Sequence, residues 1–360
     1  MAGPLALGCS RRSGPGGGPA GATSTPSAGA SATKAPSNEL TQTGAALYER
    51  YCALCHGKDA TGYAADNAPS LVSRTFLESA DDDFIATAIR VGRPNTAMGA
   101  YGQNRGGPLD NSAIAAIVSF LRARGPKSFV TNTAGAAQGN ASHGATLYAT
   151  ECAKCHGTET KRETALSLFN PELLAKATPA FLRYAIVNGR PPTPMPAFGT
   201  RLSTSDIEDL VTFLESKTPN AAPSATPIGS VPDNLPVLIN PKGRAPTFKL
   251  REERFVAADD VKQALAEKRR IVIVDARSPA DWIAYHIPGA ISVPYYNSKL
   301  LEKIPNDGTW VVAYCACPHH ASGAIVDALR AKGYKHTAVL DEGILVWRSR
   351  GYPLAGEVPK

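Results

Sequence analysis

The chain has 360 residues, of which 43% are hydrophobic and 19% charged, a composition that excludes a chain disordered throughout. No apolar run approaches the roughly 20 residues of a membrane-spanning helix, so no transmembrane helix is expected. The net charge of +7 is dispersed: residues 41–125 and 141–217 each hold eight basic and eight acidic side chains. Without a dense basic footprint, no nucleic-acid partner is expected.

Residues 1–40 read as a processed or tethering segment. From 13 to 37 every residue except Lys34 is Gly, Pro, Ala, Ser or Thr, which cannot bury enough apolar surface to offset chain entropy. Before it stands Leu5-Ala-Leu-Gly-Cys9-Ser10, a short apolar run similar to bacterial lipoprotein processing sites. That likeness implies a lipid on Cys9. No basic residue precedes it, so a signal n-region is missing, and a free cysteine in a tail is the alternative.

An internal repeat follows. Gly44-Ala-Ala-Leu-Tyr-Glu-Arg-Tyr-Cys52-Ala-Leu-Cys55-His56-Gly57 returns as Gly144-Ala-Thr-Leu-Tyr-Ala-Thr-Glu-Cys152-Ala-Lys-Cys155-His156-Gly157. Gly92-Arg93-Pro94 ahead of Met98 returns as Gly189-Arg190-Pro191 ahead of Met195. Ile114–Leu121 and Ile207–Leu214 share apolar residues at i, i+3, i+4 and i+7, which predicts a helix with one buried face in each copy. Ser203 or Ser205 caps the second of these helices, with Asp206, Glu208 and Asp209 in its first turn. The repeat predicts two small, mainly helical domains, 41–125 and 141–217, joined by a linker at 126–140.

Seven prolines between 219 and 246 mark residues 218–247 as a stiff connector. In 248–360 the pattern changes. Strand-like runs at 270–277, 290–296, 309–315 and 337–340 alternate with helical patterns at 321–332 and 344–349. This predicts an α/β domain with a parallel sheet covered on both faces. The fold class is therefore multidomain, two all-α units followed by an α/β unit.

The cysteines carry the chemistry. On a helix, residues i and i+3 share a face. Two thiols there can bond to two haem vinyl groups while the adjacent His reaches the iron. Zinc would need two further ligands that neither copy offers at suitable spacing, and a redox dithiol needs neither the His nor the repetition. On these residues 41–125 and 141–217 each resemble a class I cytochrome c domain. The resemblance implies two haem c groups, attached at Cys52 and Cys55 and at Cys152 and Cys155, with His56 and His156 as proximal iron ligands. Met98 and Met195 are the expected sixth ligands. Core filler is the alternative for a Met, but both stand on Gly/Pro-rich loops and the chain's one other Met is Met1. Pro69 and Pro171 are candidates to hold the second nitrogen of each His. Arg93 and Arg190 either pair with haem propionates or are ordinary surface arginines.

Cys315 ends a strand and precedes a loop and helix, where loop amides favour an anion and a nucleophilic thiolate is expected. Val274-Asp275-Ala-Arg277, His286-Ile-Pro-Gly-Ala290, Tyr314-Cys315 and Trp347-Arg-Ser-Arg-Gly-Tyr-Pro353 resemble the rhodanese family over residues 250–356. The resemblance implies a persulfide on Cys315. It departs in the loop Cys315-Ala-Cys317-Pro318-His319-His320, which lacks the family's Gly and Arg. His320 could supply a partial positive charge in place of that Arg, and Arg277 is a further candidate catalytic residue; Cys317 could resolve a persulfide, or join His319 and His320 on a metal. His286 reads as a turn-stabilising residue.

Two functions compete. One is a dihaem electron carrier working with a redox partner of a respiratory or sulfur-oxidation chain. The other is a sulfur enzyme in which Cys315 holds sulfane sulfur and the haems accept electrons. Either is expected in the periplasm or cell envelope.

Overall fold

The computed structural model describes residues 36–126, 135, 138–219, 229–316 and 319–357; Cys9 and Cys317 lie outside them, as do the expectations placed on those residues. From Pro36 onward the chain forms one compact unit.

The first helical domain comprises α1 (Pro36–Tyr51), α2 (Ala53–His56), α3 (Arg74–Ser79), α4 (Asp82–Val91) and α5 (Asn111–Arg122). Helix α1 starts ahead of residue 41, where the sequence placed the domain edge. Asp81 and Asp110 cap α4 and α5 by accepting from the backbone N–H groups of Phe84 and Ala113. The apolar face of α5 buries Ile114, Ile117, Val118 and Leu121, as its periodicity predicted. It crosses α1 at Gly44, where a Cβ would lie 1.9 Å from the Ala116 carbonyl oxygen, so the crossing admits only hydrogen.

The second domain repeats this plan with α6 (Ala141–Leu147), α7 (Ala153–His156), α8 (Pro171–Leu174), α9 (Pro179–Asn188) and α10 (Thr204–Ser216). A π-helical turn over Tyr148–Cys152 carries α6 into α7. Of the two serines, Ser203 is the cap of α10, in a reciprocal capping box with Asp206. Gly144 meets the Asp209 carbonyl oxygen at 2.0 Å from its notional Cβ, the same close crossing as at Gly44.

The two helical domains share one continuous apolar core. Phe84 of α4 stacks on Phe181 of α9 with ring centroids 4.6 Å apart. Tyr184 donates to Glu78 at 2.7 Å, and Ser73 and Thr75 donate to the carbonyls of Pro191 and Gly189.

The C-terminal domain holds β1 (Phe255–Val256), α11 (Ala258–Ala266), β2 (Ile271–Asp275), α12 (Pro279–Ala284), β3 (Ile291–Ser292), β4 (Trp310–Tyr314), α13 (His320–Ala331), β5 (Thr337–Leu340) and α14 (Gly343–Ser349). The sheet order is β1-β5-β4-β2-β3, with every pairing parallel. All five residues of β2 are buried, as a parallel strand covered on both faces requires. The expected strand over 290–296 is reduced to β3. Pro294 lacks the N–H that would extend the ladder, and the chain leaves the sheet there with Tyr295 and Tyr296. Gly333 at φ +86° closes α13 where the sequence placed the stop.

Candidate functional site

Each Cys-x-x-Cys-His motif lies where a long helix runs into a single short turn. Four residues before the first cysteine stands a tyrosine. Tyr48 donates to the Gly57 carbonyl at 2.7 Å, and Tyr148 to the Gly157 carbonyl at 3.0 Å. Each therefore ties the helix to the residue just after the histidine. Gly57 and Gly157 adopt φ of +79° and +77°, which lets the chain reverse at that point.

Both histidines present the tautomer that a neutral metal-binding imidazole needs. A carbonyl can only accept, so His56 Nδ1 donates to Pro69 at 2.9 Å and Nε2 keeps its lone pair. His156 Nδ1 donates in the same way to Leu166 at 2.8 Å. Leu166, and not Pro171, has this place in the second domain; Pro171 opens α8. Burial lowers the pKa of both imidazoles, the direction that favours the metal-binding form.

Three of the four motif thiols are shielded in a way that suits attachment better than thiol redox chemistry, while Cys155 is exposed. Burial pushes Cys52 up to about 12 and Cys55 and Cys152 up to about 11, whereas a redox dithiol needs a lowered pKa. Near Cys55 the charge of Cys315 adds to the same shift.

The methionine loops share a turn that the sequence reading did not single out. Thr96 N–H donates to the Arg93 carbonyl at 3.1 Å, and the Thr96 hydroxyl accepts from Met98 N–H at 3.1 Å. Thr193 repeats both bonds with Arg190 and Met195, at 2.7 and 3.3 Å. The signal was available as a repeated Arg-Pro-x-Thr-x-Met. Gly92 and Gly189 begin these loops at φ +69° and +63°, each with a notional Cβ 2.6 Å from backbone carbon across the loop.

Arg93 and Arg190 are not ordinary surface arginines. Burial lowers each to about 10, against the pull of Glu172 on Arg93 and of Tyr184 on Arg190. Arg190 Nη1 donates to Thr75 at 2.8 Å, while its Nη2 is buried without a partner. A half-buried guanidinium with a shielded, unfilled donor, as in Arg190, is the partner a haem propionate would satisfy. The donor set of each domain, two unpaired thiols, a neutral imidazole with its Nε2 free of that hydrogen bond, a thioether and a half-buried arginine, therefore fits a c-type haem.

In the C-terminal domain Cys315 follows β4 and is 2% exposed, with Sγ 3.2 Å from the Ser322 hydroxyl. Ser322, seven residues downstream on α13, was not anticipated from the sequence. Gly343 passes the loop closely; a Cβ there would lie 2.9 Å from the Cys315 carbonyl oxygen. His320 is exposed as the first residue of α13, while His319 bonds Asp341 at 2.8 Å. Arg277 is held away from solvent by its own neighbours. Its guanidinium is buried and paired with Asp275 at 2.7 Å, and it also donates to the Asp281 and Tyr285 carbonyls. It braces β2 against α12. His286 stacks on Trp282 at 3.9 Å and bonds the Trp282 carbonyl, in keeping with a turn-stabilising role.

Fold and site together define tandem cytochrome c domains joined to a rhodanese-like domain. Residues 39–121 and 139–214 match the family described as cytochrome c oxidase, cbb3-type, subunit III, and residues 257–350 match the rhodanese-like domain. The chain is 30% identical to the cbb3-type oxidase subunit FixP of Azorhizobium caulinodans over 46% of its own length and 55% of that protein. It is 29% identical to a sulfurtransferase of Allochromatium vinosum over 28% of its length and 92% of that protein. A solved rhodanese-like domain from Anabaena is 24% identical, with a TM-score of 0.27, and covers 30% of this chain and 82% of that one. The chain spans half or less of the length of the first curated relatives it matches. Among the described residues no helix is long and apolar enough to cross a membrane.

Proposed function

We propose that the protein transfers single electrons through two covalently bound haem c groups and couples them to sulfur chemistry in its C-terminal domain. The observation that carries this reading is the pair of matched sites, each with a backbone carbonyl holding Nδ1 of the histidine. Cys52 and Cys55, and Cys152 and Cys155, would hold the two groups by thioether bonds. His56 with Met98, and His156 with Met195, would be the axial ligands, and Arg93 and Arg190 would receive propionates. When bound, such groups supply reversible one-electron acceptance, and thioether ligation favours the reduced state. Attachment of this kind implies assembly outside the bacterial cytoplasmic membrane, hence the periplasm or cell envelope.

The intact mass of the native protein tests it. Two haem masses are expected, one in the Cys152→Ala/Cys155→Ala variant, and an acyl chain on Cys9 would register in the same spectrum. A colourless protein with no added mass would refute the reading.

A second reading, a sulfur-transferring enzyme, draws on the buried Cys315 beside Ser322 at the head of α13. Cys315 thiolate attacks the outer sulfur of thiosulfate, a persulfide forms on Cys315, and sulfite leaves with the bonding pair. Sulfur releasable by cyanide, absent in Cys315→Ala, supports this reading. Unchanged haem behaviour with no sulfur turnover identifies a carrier alone.

A further inference from the structure

Four positions around the first attachment motif differ in kind from their counterparts in the second, and all four lie against the rhodanese-like domain. Leu54, between Cys52 and Cys55, and Ala97, just before Met98, pack onto the apolar cluster that contains Cys315 and Ala321. Asn95 accepts from Arg348 at 2.5 Å. A Cβ on Gly99 would lie 2.1 Å from Asp281 Oδ2 and 2.7 Å from the Ser278 hydroxyl, so this seam admits only hydrogen. The counterparts are Lys154, Pro194, Pro192 and Pro196, and all four are exposed.

Tyrosines make a second seam. Tyr295 donates to the Tyr51 carbonyl at 2.7 Å and stands 3.2 Å from the Tyr101 hydroxyl, while Tyr296 meets the Tyr51 ring edge-on at 4.9 Å. In the second domain Tyr51 is replaced by Glu151, which pairs with Arg201, and Tyr101 by Phe198. Helix α2, which carries Cys55, lies beside α13, which follows the Cys315 loop.

We propose that the rhodanese-like domain is a wall of the first haem site, so that sulfur on Cys315 is coupled to that site and not to the second. This rests on the sulfur reading above. The chemistry the placement suits is the joining of hydrosulfide to the Cys315 thiolate. Cys315–S⁻ and HS⁻ form one S–S bond, giving Cys315–S–S⁻, one proton released to water and two electrons. The step needs two one-electron oxidants, which ferric haems held at Cys52 and Cys55 and at Cys152 and Cys155 would supply. The first site would be the point of entry; Phe84, under Arg93, stacks on Phe181, under Arg190, where the two cytochrome domains meet.

The test uses the two-haem protein, with the second haem marked spectroscopically by Met195→His. Both reduction potentials are measured before and after treatment with inorganic thiosulfate, and cyanide-releasable sulfur counts the load on Cys315. Loading is expected to change the ferric-to-ferrous ratio of the first haem about tenfold at fixed potential, which is 59 mV for a one-electron couple, and to leave the second unmoved. Cys315→Ser removes the shift. Gly99→Ala, chosen to push the seam apart and checked for retention of the Met98 charge-transfer band, accepts sulfur but loses most of the shift. Loaded protein in which neither haem moves, or both move alike, overturns the proposal while the sulfur reading stands. So does a full shift in Gly99→Ala. A two-haem protein that takes up no sulfur overturns both.

Discussion

The two cytochrome domains hold their candidate ligands in nearly the same way and differ in what stands outside them. Inside, Tyr48 and Tyr148, Thr96 and Thr193, Gly92 and Gly189, and Arg93 and Arg190 repeat position for position. Outside, the first domain offers Leu54, Asn95, Ala97 and Gly99 to a neighbour, while the second shows Lys154 and three prolines to solvent. Residues that shape the pocket are constrained twice by the same chemistry. Residues on the rim are free to diverge, and here they separate a domain that packs on the rhodanese-like domain from one whose matching positions face solvent.

Four experiments would break or sharpen this comparison. The largest effect is expected from the attachment cysteines. Cys52→Ala/Cys55→Ala and Cys152→Ala/Cys155→Ala should each remove one haem mass, and thermal unfolding of the first variant should also lower the melting of the rhodanese-like domain it abuts. Equal, independent melting in both variants would argue against the asymmetry.

Next come the glycines that open the methionine loops. Gly92→Ala and Gly189→Ala should each cost about 1–3 kcal/mol in denaturant unfolding, since each needs positive φ and meets backbone across the loop. The two costs should agree, because the turn is the same. A smaller change is expected from the threonines. Thr96→Ala and Thr193→Ala each lose the bond to the methionine N–H, worth about 1 kcal/mol, and a methionine–iron band, expected if Met98 and Met195 ligate as proposed, would read the loosened loop directly.

The smallest effect concerns the seam between the two domains. Hydrogen bonds from Arg74 and then Tyr184 hold the Glu78 carboxyl below the usual carboxylate range. A folded pKa below the unfolded one gives stability that is present above the ordinary value near 4.5 and lost as pH falls through the lowered one. Glu78→Gln should cost under about 1 kcal/mol at neutral pH and flatten the acid limb of the stability profile.

Much of the architecture was legible because its signals are local. Cys-x-x-Cys-His followed by Gly requires one turn of helix and a reversal, and the i, i+3, i+4 spacing of Ile114–Leu121 requires one buried face. The run Ile271–Asp275 could be read as a covered parallel strand because all of it is apolar up to its last residue. Other assignments failed or were missed because they depend on where remote residues meet. Pro171 and Leu166 are both near enough in sequence to reach His156, and the loop path selects Leu166. Arg277 carries the charge the Cys315 loop lacks, but two residues of extended chain bring it back onto Asp275 in a buried pair. Ser322 reaches Cys315 only because α13 packs against β4.

Gly99 marks the boundary between the two kinds of information. Set beside Pro196 in the repeat, it looks like a weakening of the first methionine loop. In the folded protein it is where Asp281 and Ser278 approach too closely for any side chain. The sequence by itself determined that the chain joins repeated cytochrome c domains to a rhodanese-like domain, and it marked the candidate residues for haem and sulfur chemistry, since each signal lies within a short stretch of chain. Only the tertiary structure decided which cytochrome domain the rhodanese-like domain faces, because that depends on packing between residues 244 and 253 positions apart, for which no local pattern exists.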